Sequence, residues 1–323
     1  FQSFKADRMV SQLAKKADYQ LKNTGKNGSQ LNMLRELELS ESDQAHLAEE
    51  CRKKNIEFMS TPFDIESAEF LAKQINIKRF KVGSGELTNA PLLLDLGSYK
   101  KPIILSTGMS TIPEIQNALS VLAYAYENQK EQLASSDSFK KYYDIKIIQE
   151  VLGDNITLLH CTSLYPTQPE SVNLLAIGTL KRRFNLEVGF SDHSLGTCVA
   201  LGAVALGAKV IEKHFTLDKF LKGPDHKASL EPNELRQMIK MIRVLETSLG
   251  SGEKVPFSDE YKTAMVARKS LVAIDNIGEG DLFCKQNLGV KRPGTGISPF
   301  SYWDYIGKRA KKKYKIDEII EPQ

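Results

Sequence analysis

Histidine is the residue type that most directly suggests chemistry in this sequence, because the chain of 323 residues has only five. His193 comes just after a short apolar run that ends at Phe190, and His214 lies near the end of the next such run. Two imidazoles at the same end of neighbouring parallel strands can bind one divalent metal ion and leave positions open for a substrate. A single histidine is more often a core or loop residue bonded to backbone groups, so the hypothesis rests on the pair.

A lysine inside an apolar strand points to an anion-binding site. Burial of Lys81 is costly unless its ammonium meets a negative charge, and the Gly-Ser-Gly sequence at 83–85 lets the backbone approach a ligand closely. The alternative is a lysine whose ammonium reaches solvent at the rim of the sheet. Hydroxyl side chains follow the later strands at Ser106, Ser163 and Ser191. A ring of hydroxyls around a lysine predicts a pocket for a phosphate or carboxylate group.

The charged neighbours of His214 fall on opposite faces of their strand. Glu212 shares the face of His214, whereas Lys213 points the other way. If His214 faces the interior of a barrel, Lys213 cannot form an imine with a substrate there, which argues against an imine-forming aldolase. Asp225 follows in a loop, where a carboxylate could bind sugar hydroxyls or act as a base; the alternative is a turn with aspartate at a favoured place.

Six strand candidates alternate with six helix candidates along the chain. The strands are short apolar runs with few polar interruptions, which is typical of parallel strands covered on both faces. They are predicted over Ile56–Ser60, Arg79–Val82, Ile103–Ser106, Ile156–Cys161, Glu187–Phe190 and Lys209–Phe215. The helices are predicted near Ile65–Gln74, Pro91–Ser98, Thr111–Tyr126, Ser171–Arg183, Gly196–Gly207 and Glu231–Leu249. Such alternation indicates βαβ units and a parallel sheet.

A doubly wound open sheet and an eight-stranded barrel both fit six strand–helix units. Polar candidate residues follow every strand instead of gathering at one switch point, and chemistry spread over all βα loops is typical of the barrel. We therefore predict an α/β fold with a (β/α)8 TIM barrel over residues 1–249. Because the chain begins with Phe and shows only six units, its first strand and most of its second are expected to be missing, with Phe1–Phe4 as the end of the second.

Three further segments depart from the strand–helix pattern. Residues 127–150 are polar and are expected to form a partly helical insertion at the surface. Residues 250–266 contain Gly-Ser-Gly and mixed charge, which predicts a linker. Residues 267–323 show short strands separated by turns, which predicts a small β-rich domain. A domain of that size is near the lower limit for an independent core, so we expect it to lean on the barrel or on a second subunit.

The composition excludes several classes of protein. Lys and Arg (44) nearly balance Asp and Glu (40), and the net charge of +4 is too small and too dispersed to predict nucleic-acid binding. The apolar runs are too short for a membrane span. The four cysteines lie far apart without a CxxC pair, and no secretory signal precedes them, so we expect free thiols in a cytoplasmic protein.

Eight sequence strings, in this order, resemble the N-acetylneuraminate (sialic acid) synthase family, which includes legionaminate and pseudaminate synthases. They are STPFD at 60–64, KVGSGE at 81–86, LSTGM at 105–109, HCTSLYP at 160–166, GFSDH at 189–193, EKHF at 212–215, GPDHK at 223–227 and VKRPG at 290–294. The resemblance covers essentially the whole chain, and the combination is specific. It implies the TIM barrel, and residues 267–323 are similar to the antifreeze-like (SAF) domain of that family.

The resemblance implies an enzyme that condenses phosphoenolpyruvate with an N-acetylated amino sugar and releases phosphate, with a divalent metal ion such as Mn²⁺ (Mg²⁺ or Co²⁺ as alternatives). The metal ligands would be His193 and His214. The phosphoenolpyruvate site would comprise Gln2, Thr61, Lys81, Ser84, Ser106, Ser163 and Ser191. The sugar would contact Phe63, Glu86, Tyr165, Asp225 and Arg292, and the catalytic set would be His193, His214, Glu86 and Asp225. Arg292 would reach the active site of a second subunit, which implies a domain-swapped homodimer.

The choice of amino sugar is open at this point. The loop at 223–227 favours N-acetylmannosamine, so the main prediction is an N-acetylneuraminate synthase. The alternatives are a legionaminate or pseudaminate synthase acting on a 2,4-diacetamido sugar, and a non-catalytic carbohydrate-binding protein. The family pattern also has a first strand with a glutamate and an Asn-His-Asn turn, and a lysine just before the position of Phe1, which this sequence does not contain.

Overall fold

Two units make up the chain in the computed structural model, Phe1–Gly250 and Ser251–Gln323. The structure describes residues 1–25, 29–128 and 134–322. The strands described in the first unit are short and parallel: β1 (Gln2–Ser3), β2 (Thr61–Pro62), β3 (Phe80–Val82), β4 (Ile103–Ser106), β5 (Ile156–Cys161), β6 (Glu187–Asp192) and β7 (Ile211–Lys213). β1 pairs with β2, and β3 to β7 form one five-stranded sheet in chain order.

The five-stranded sheet is curled. Lys81 lies in β3 and Glu212 in β7, which are its two edge strands, yet Lys81 Nζ and Glu212 Oε2 are 3.2 Å apart. In a flat sheet, four strand spacings would separate these positions by about 19 Å. The strand order follows the chain without the reversal of a doubly wound sheet, so the unit is an α/β half-barrel. The predicted α/β class with a parallel sheet is confirmed.

Helices connect the parallel strands. Between β1 and β2 they are Ala6–Met9, Asp18–Thr24, Gln30–Arg35 and Glu41–Lys53. After β2 they are Ile65–Glu69, continued by a π-helical turn over Phe70–Ile75, then Ala90–Ser98, Ile112–Glu127, Ser136–Lys140, Ile145–Leu152, Ala176–Phe184, Cys198–Ala205 and Pro232–Ser248. Within the described ranges, none of the helices is long and apolar enough to cross a membrane.

Alternation along the strands sends one row of apolar side chains toward the helices. Register neighbours in this row are buried: Val82, Leu105, Leu158 and Val188. They form one hydrophobic cluster with apolar residues of the helices. Two of those helices, Ala90–Ser98 and Ile112–Glu127, approach closely, since a Cβ added at Gly97 would lie 2.6 Å from the Cβ of Ala125. The other face of β3 carries Lys81.

The strand predictions are accurate in the middle of the sheet and fail at its margins. The strands predicted over Ile103–Ser106 and Ile156–Cys161 have those bounds. The strand predicted over Ile56–Ser60 is wrong, because Ile56 is exposed and the chain pairs only at Thr61–Pro62, alongside Gln2–Ser3. That pairing makes the first residues a parallel strand, where the end of a strand was expected over Phe1–Phe4.

Pairing partners reset the other strand ends. β6 extends two residues beyond the predicted Phe190, because Asp192 still pairs with Lys213. β7 is correspondingly shorter than the predicted Lys209–Phe215, and β3 begins at Phe80 instead of Arg79.

The predicted helices are present with shifted ends, and the structure adds others. The helix predicted to start at Ser171 begins only at Ala176, because Pro169–Ser171 forms a 3₁₀ turn and Asn173 has a φ of 53°. The helices between β1 and β2 were not predicted. For Glu41–Lys53 a local signal exists: Ser40 accepts a hydrogen bond from the Asp43 N–H, and the Asp43 carboxylate accepts from the Ser40 N–H.

The predicted insertion at 127–150 is only partly a surface segment. Residues 129–133 of it lie outside the described residues. The helix Ile145–Leu152 buries Ile148 and Leu152 completely, because apolar residues recur on one face at the helical period. This part of the segment therefore belongs to the core of the first unit.

The second unit has its own core. β8 (Ser270–Ala273) and β9 (Leu288–Lys291) are antiparallel, isolated bridges join other segments to one another and to β8, and the buried cluster includes the fully buried Phe283. Helices lie at Ser258–Ala267 and Tyr302–Tyr305. The helix Ser258–Ala267 lies mostly within residues 250–266, where the sequence predicts a linker. This helix begins at Ser258 because the Glu260 carboxylate accepts a hydrogen bond from the Phe257 N–H at 2.9 Å. Trp303, the chain's single tryptophan, is 75% exposed.

Candidate active site

The two predicted metal-binding histidines lie side by side. Asp192 and Lys213 are the last register partners of β6 and β7, so the next residue of each strand leaves the sheet at the same place. The ring centroids of His193 and His214 are 5.3 Å apart, and the rings are inclined by 78°. Two imidazoles in this arrangement can turn one nitrogen each toward a common cation.

A backbone carbonyl orients the first of these rings. Nδ1 of His193 is 2.8 Å from the carbonyl oxygen of Thr162, and the side chain is buried. A carbonyl can only accept, so this contact assigns the proton to Nδ1 and leaves the lone pair of Nε2 free. A metal-binding histidine is typically held in this way by its second nitrogen.

Two tyrosine rings extend from the histidine pair. The ring of Tyr165 lies 4.2 Å from that of His193 and 5.6 Å from that of His214, and Tyr19 stacks on Tyr165 at 5.0 Å. Burial and the Asp225 carboxylate raise the pKa of Tyr19 to about 12, and burial raises the pKa of Tyr165 well above its usual range. Both phenols are therefore neutral near pH 7 and can donate hydrogen bonds.

Asp225 brings a carboxylate with spare bonding capacity to the same place. Its Oδ2 is 3.7 Å from Nδ1 of His214, and its Oδ1 is buried without a hydrogen-bond partner. The loop that carries it is tied to the helix Asp18–Thr24, since Asn23 donates to the carbonyl of Pro224 at 2.6 Å. An unsatisfied buried carboxylate oxygen fits a site that receives a hydroxyl donor or a cation from a ligand.

The predicted anion site contains a carboxylate of its own. Lys81 is buried, and its Nζ donates to Ser106 Oγ at 2.9 Å and pairs with Glu212 Oε2 at 3.2 Å. Ser191 donates to the other oxygen of Glu212 at 2.6 Å. Burial alone would raise the pKa of Glu212, but Lys81, Ser191 and nearby His193 together lower it, so the carboxylate is ionised near pH 7.

Close contacts join the remaining serines to this cluster. Ser84 Oγ accepts the N–H of Gly108 at 2.9 Å, and a Cβ at position 108 would overlap the hydroxyls of Ser84 and Ser163. Cys161, a free thiol, lies 3.8 Å from His193 Nδ1. Burial alone would raise the pKa of this thiol, but its hydrogen bonds with His193, Ser84 and Ser191 hold it below its usual value. The cysteine therefore adjoins both the serines and the histidine pair.

Other predicted residues lie around this cluster with fewer contacts. Gln2 and Thr61 are register partners in β1 and β2; Thr61 is buried and Gln2 is exposed. Phe63 meets Phe4 edge-on, with ring centroids 6.0 Å apart. Glu86 accepts from Asn89 at 2.7 Å, at the start of the helix that follows β3.

Arg292 belongs to the second unit. Its side chain is exposed, and its Nε donates to the carbonyl of Ala267 at 3.0 Å. Its reach into the active site of a second subunit stays a prediction.

Three residues around the site were not predicted as site residues. They are Tyr19, Cys161 and Glu212. Strand alternation already placed Glu212 on the face of His214, and that signal could have identified it. Tyr19 had no such signal, because it lies before the first predicted strand–helix unit and reaches Tyr165 only through the tertiary fold.

The donor set suits a divalent cation with open positions. Within the described ranges, no three His, Cys, Asp or Glu residues form a group able to hold a metal ion. Two imidazoles with Asp225 nearby would leave several positions for water and substrate, as catalytic metal sites require. The free Nε2 of His193 and the unsatisfied Asp225 Oδ1 are the observations that fit such an ion.

Comparison with known proteins identifies the family of this chain. Residues 1–254 match the NeuB family. The N,N'-diacetyllegionaminic acid synthase of Campylobacter jejuni is 47% identical over 320 residues, 99% of this chain and 88% of that protein. The enzyme of the same name from Legionella pneumophila is 43% identical over 309 residues, 96% of this chain and 80% of that protein.

A solved structure supports the same relationship. The N-acetylneuraminic acid (sialic acid) synthetase of Leptospira borgpetersenii, crystallised with citrate, superimposes with a TM-score of 0.61 at 32% identity, and the match covers 76% of each chain. The predicted resemblance to sialic acid synthases is thereby confirmed. With its half-barrel, its paired histidines and a family match over most of its length, this chain is a member of the NeuB family of nonulosonic acid synthases.

Proposed function

We propose that this chain condenses phosphoenolpyruvate with a 2,4-diacetamido sugar to give N,N'-diacetyllegionaminate and phosphate. The convergence of His193 and His214 beside the unsatisfied Asp225 carboxylate is the observation that carries a synthase site. The choice of sugar rests on the relatives, because the two legionaminic acid synthases share 47% and 43% identity with this chain. The sequence alone favours N-acetylmannosamine as the substrate and gives the 2,4-diacetamido sugar as an alternative.

We also propose the remaining architecture from the resemblance. β1 to β7 would be strands two to eight of a TIM barrel, and the second unit would be an antifreeze-like (SAF) domain. Arg292 would contact the sugar of a partner subunit in a domain-swapped homodimer. The exposed side chain of Arg292 is compatible with such a contact.

Phosphoenolpyruvate would bind at the curled face around Lys81. The hydroxyl and amide groups proposed to donate to its phosphate and carboxylate belong to Gln2, Thr61, Ser84, Ser106, Ser163 and Ser191. The Lys81 ammonium, which is buried, would supply the positive charge that an anionic substrate needs when it leaves water. In the structure the Lys81 ammonium is paired with the Glu212 carboxylate. The substrate would therefore have to share the ammonium with Glu212 or displace that carboxylate from it.

The sugar would bind at the neighbouring histidine pair. His193 and His214 would hold Mn²⁺, Mg²⁺ or Co²⁺, and when bound such an ion acts as a Lewis acid toward an aldehyde oxygen. Asp225 Oδ1 would accept a sugar hydroxyl, and the rings of Tyr165 and Phe63 would pack against the sugar. Ser191 lies in β6 and His193 directly follows the last residue of that strand, two residues and about 7 Å further along the chain, so the two substrates would meet.

The chemistry asks the protein mainly to orient two substrates and to manage charge. The methylene carbon of phosphoenolpyruvate forms a bond to the aldehyde carbon of the sugar, whose oxygen takes up a proton. Water adds to the carbon that carries the phosphate, and the carbon–oxygen bond to phosphate then breaks. Lys81 would balance the charge of the phosphate throughout, and Glu86 and Asp225 are the carboxylates proposed to carry protons.

A substrate panel tests the proposed function. The chain is incubated with Mn²⁺, phosphoenolpyruvate and one of N-acetylmannosamine, its 6-phosphate or a 2,4-diacetamido hexose, and phosphate release is followed. We expect the highest kcat/KM with the diacetamido sugar. A higher value with N-acetylmannosamine would restore the main sequence prediction. Sugar binding without phosphate release from any member would favour the non-catalytic alternative, and a borohydride-trapped adduct would favour imine chemistry.

A further inference from the structure

Lys213 is buried on the face of the sheet opposite the anion site, and the proposed chemistry does not use it. Its side chain is 3% exposed and that of its partner Asp192 is 0% exposed. Nζ of Lys213 donates to Asp192 Oδ2 at 2.8 Å and also to the carbonyl of Ser194. One ammonium group from β7 therefore binds the residue on either side of His193.

The same residues close a tight turn around His193. The other oxygen of Asp192, Oδ1, accepts the Ser194 N–H at 2.8 Å and the Ser194 hydroxyl at 2.7 Å. The carbonyl of His193 accepts the N–H of Thr167 at 2.9 Å. The backbone that carries this imidazole is thus fixed before, at and after the histidine.

Lys213 is also next to the second histidine, because it directly precedes His214 in the chain. The carbonyl of His214 accepts the N–H of Leu230 at 2.8 Å. Asp192 and Lys213 are the last register partners of their strands. Beyond that pair the strand ladder ends, and the ion pair with its link to Ser194 connects the two histidine-bearing segments on this face, as the bond from Ser191 to Glu212 does on the other.

We propose that Lys213 is a positioning residue that sets the separation of the two imidazoles for metal binding. This inference rests on the proposed metal site at His193 and His214. A metal ion tolerates only small errors in ligand position, so groups behind the ligands control its affinity. A buried ion pair contributes little net stability, and here it spans the two segments that carry the ligands, so its role would be to fix their geometry.

Mn²⁺ binding to the full chain, without substrates, measures this role. The double variant Asp192→Asn/Lys213→Met removes both charges together, and the asparagine retains an acceptor for Ser194. The matched control is Lys101→Met, which removes a lysine that donates to the Ile77 carbonyl at 2.8 Å, just before β4 begins. Bound Mn²⁺ is followed by electron paramagnetic resonance and the fold by circular dichroism.

We expect the double variant to bind Mn²⁺ roughly 10- to 100-fold more weakly than the unmodified chain. The control should keep its Mn²⁺ affinity even where its melting temperature falls, which separates positioning from stability. Phosphoenolpyruvate affinity, measured by calorimetry without metal, should stay within about twofold in both variants, because Lys81 and Ser106 lie on other strands and Ser191, although next to Asp192, bonds Glu212 on the opposite face of the sheet.

Each outcome decides a different question. Equal Mn²⁺ affinity in the folded double variant and the unmodified chain would overturn the positioning role and leave the metal site standing. No Mn²⁺ binding by the unmodified chain would overturn the metal site, and the positioning role with it. Should the double variant fail to fold, Lys213→Arg keeps the positive charge but changes the length and shape of the group that bonds Asp192 and Ser194. A roughly two- to tenfold loss of affinity supports the role there, and unchanged affinity refutes it.

Discussion

Replacement of Lys81 by methionine is the sharpest test of the anion site. The change removes the ammonium and keeps an unbranched apolar side chain of similar length, so the contacts of the stem within β3 are largely retained. Three bonds of the ammonium disappear, one to Ser106 at 2.9 Å, one to the Val82 carbonyl at 3.1 Å and one to Glu212 at 3.2 Å. The phosphate or carboxylate of a bound substrate would lose the same donor.

The effect on folding should be modest. Breaking a fully buried ion pair costs about 3–5 kcal/mol, because one charge is left without a partner and without water. The Glu212 side chain is 35% exposed and keeps its bond from Ser191, so water can solvate it. We therefore expect a loss of only about 1–2 kcal/mol in the free energy of unfolding, close to one hydrogen bond.

The effect on substrate binding should be larger. A hydrogen bond to a charged group is worth about 1.5–3 kcal/mol, which corresponds to an increase of about 10- to 150-fold in the dissociation constant for phosphoenolpyruvate. Isothermal calorimetry without metal measures this constant, so that any defect at the histidine pair does not contribute.

A second variant gives a control of opposite sign. Glu212→Gln leaves Lys81 in place and removes the carboxylate that competes for it, so phosphoenolpyruvate should bind more tightly than to the unmodified chain. The reasoning would be refuted if both variants bound phosphoenolpyruvate within twofold of the unmodified chain, since the ammonium would then contact no substrate anion.

Three further predictions concern other parts of the molecule. Gly108→Ala places a Cβ against the hydroxyls of Ser84 and Ser163; we expect a loss of about 1–3 kcal/mol in unfolding free energy and weaker phosphoenolpyruvate binding, whereas calorimetry showing unchanged affinity would contradict the serine site. Arg292→Ala should leave the melting temperature of the chain unchanged, since the exposed side chain donates to the Ala267 carbonyl and to no other group in the described part of the chain, and should raise the KM for the sugar by about tenfold or more; an unchanged KM would count against the swapped dimer. Because the folded pKa of Glu212 is lowered, its stabilising contribution is present above its unfolded pKa of about 4.3 and lost as pH falls through the folded value. Urea unfolding should therefore show the stability difference between the unmodified chain and Glu212→Gln changing only below about pH 4.3, and a difference confined to neutral pH would contradict that sign.

The histidine pair could be predicted from the sequence because it depends on a local rule. His193 follows one short apolar run and His214 lies near the end of the next, and parallel strands place such positions at one edge of a sheet. A second local rule, the alternation of side chains along a strand, separates Glu212 from Lys213, and the structure puts them on opposite faces, bonded to Ser191 and Asp192 respectively.

The partner of Lys81 could not be predicted in this way. Lys81 and Glu212 are separated by three intervening strands, and they meet only because the sheet curls. The sequence pattern of each strand reports burial on its two faces, and it carries no direct record of curvature. Lys81 does meet an anion, as its burial in an apolar strand predicts, and that anion is a carboxylate of the same chain.

The segment before Thr61 shows a different limit. The helix Glu41–Lys53 is mostly polar and buries only Gln44 and Ala48, so it lacks the apolar period by which helices were recognised. Its capping residues indicate the start of a helix, but a cap without an apolar period does not predict a helix of this length. Tyr19 lies in the same poorly patterned region and reaches the site only through its stack on Tyr165.

The position of Trp303 has a practical consequence for anyone who unfolds this protein. The chain has no other tryptophan, and this one is in the second unit, edge-on to Tyr302 with ring centroids 5.6 Å apart. Indole emission excited at the red edge therefore reports on the small unit alone, whereas the far-ultraviolet dichroism is dominated by the helices of the large one. Denaturation curves recorded by both signals on one sample will reveal whether the two units melt in a single step or in two.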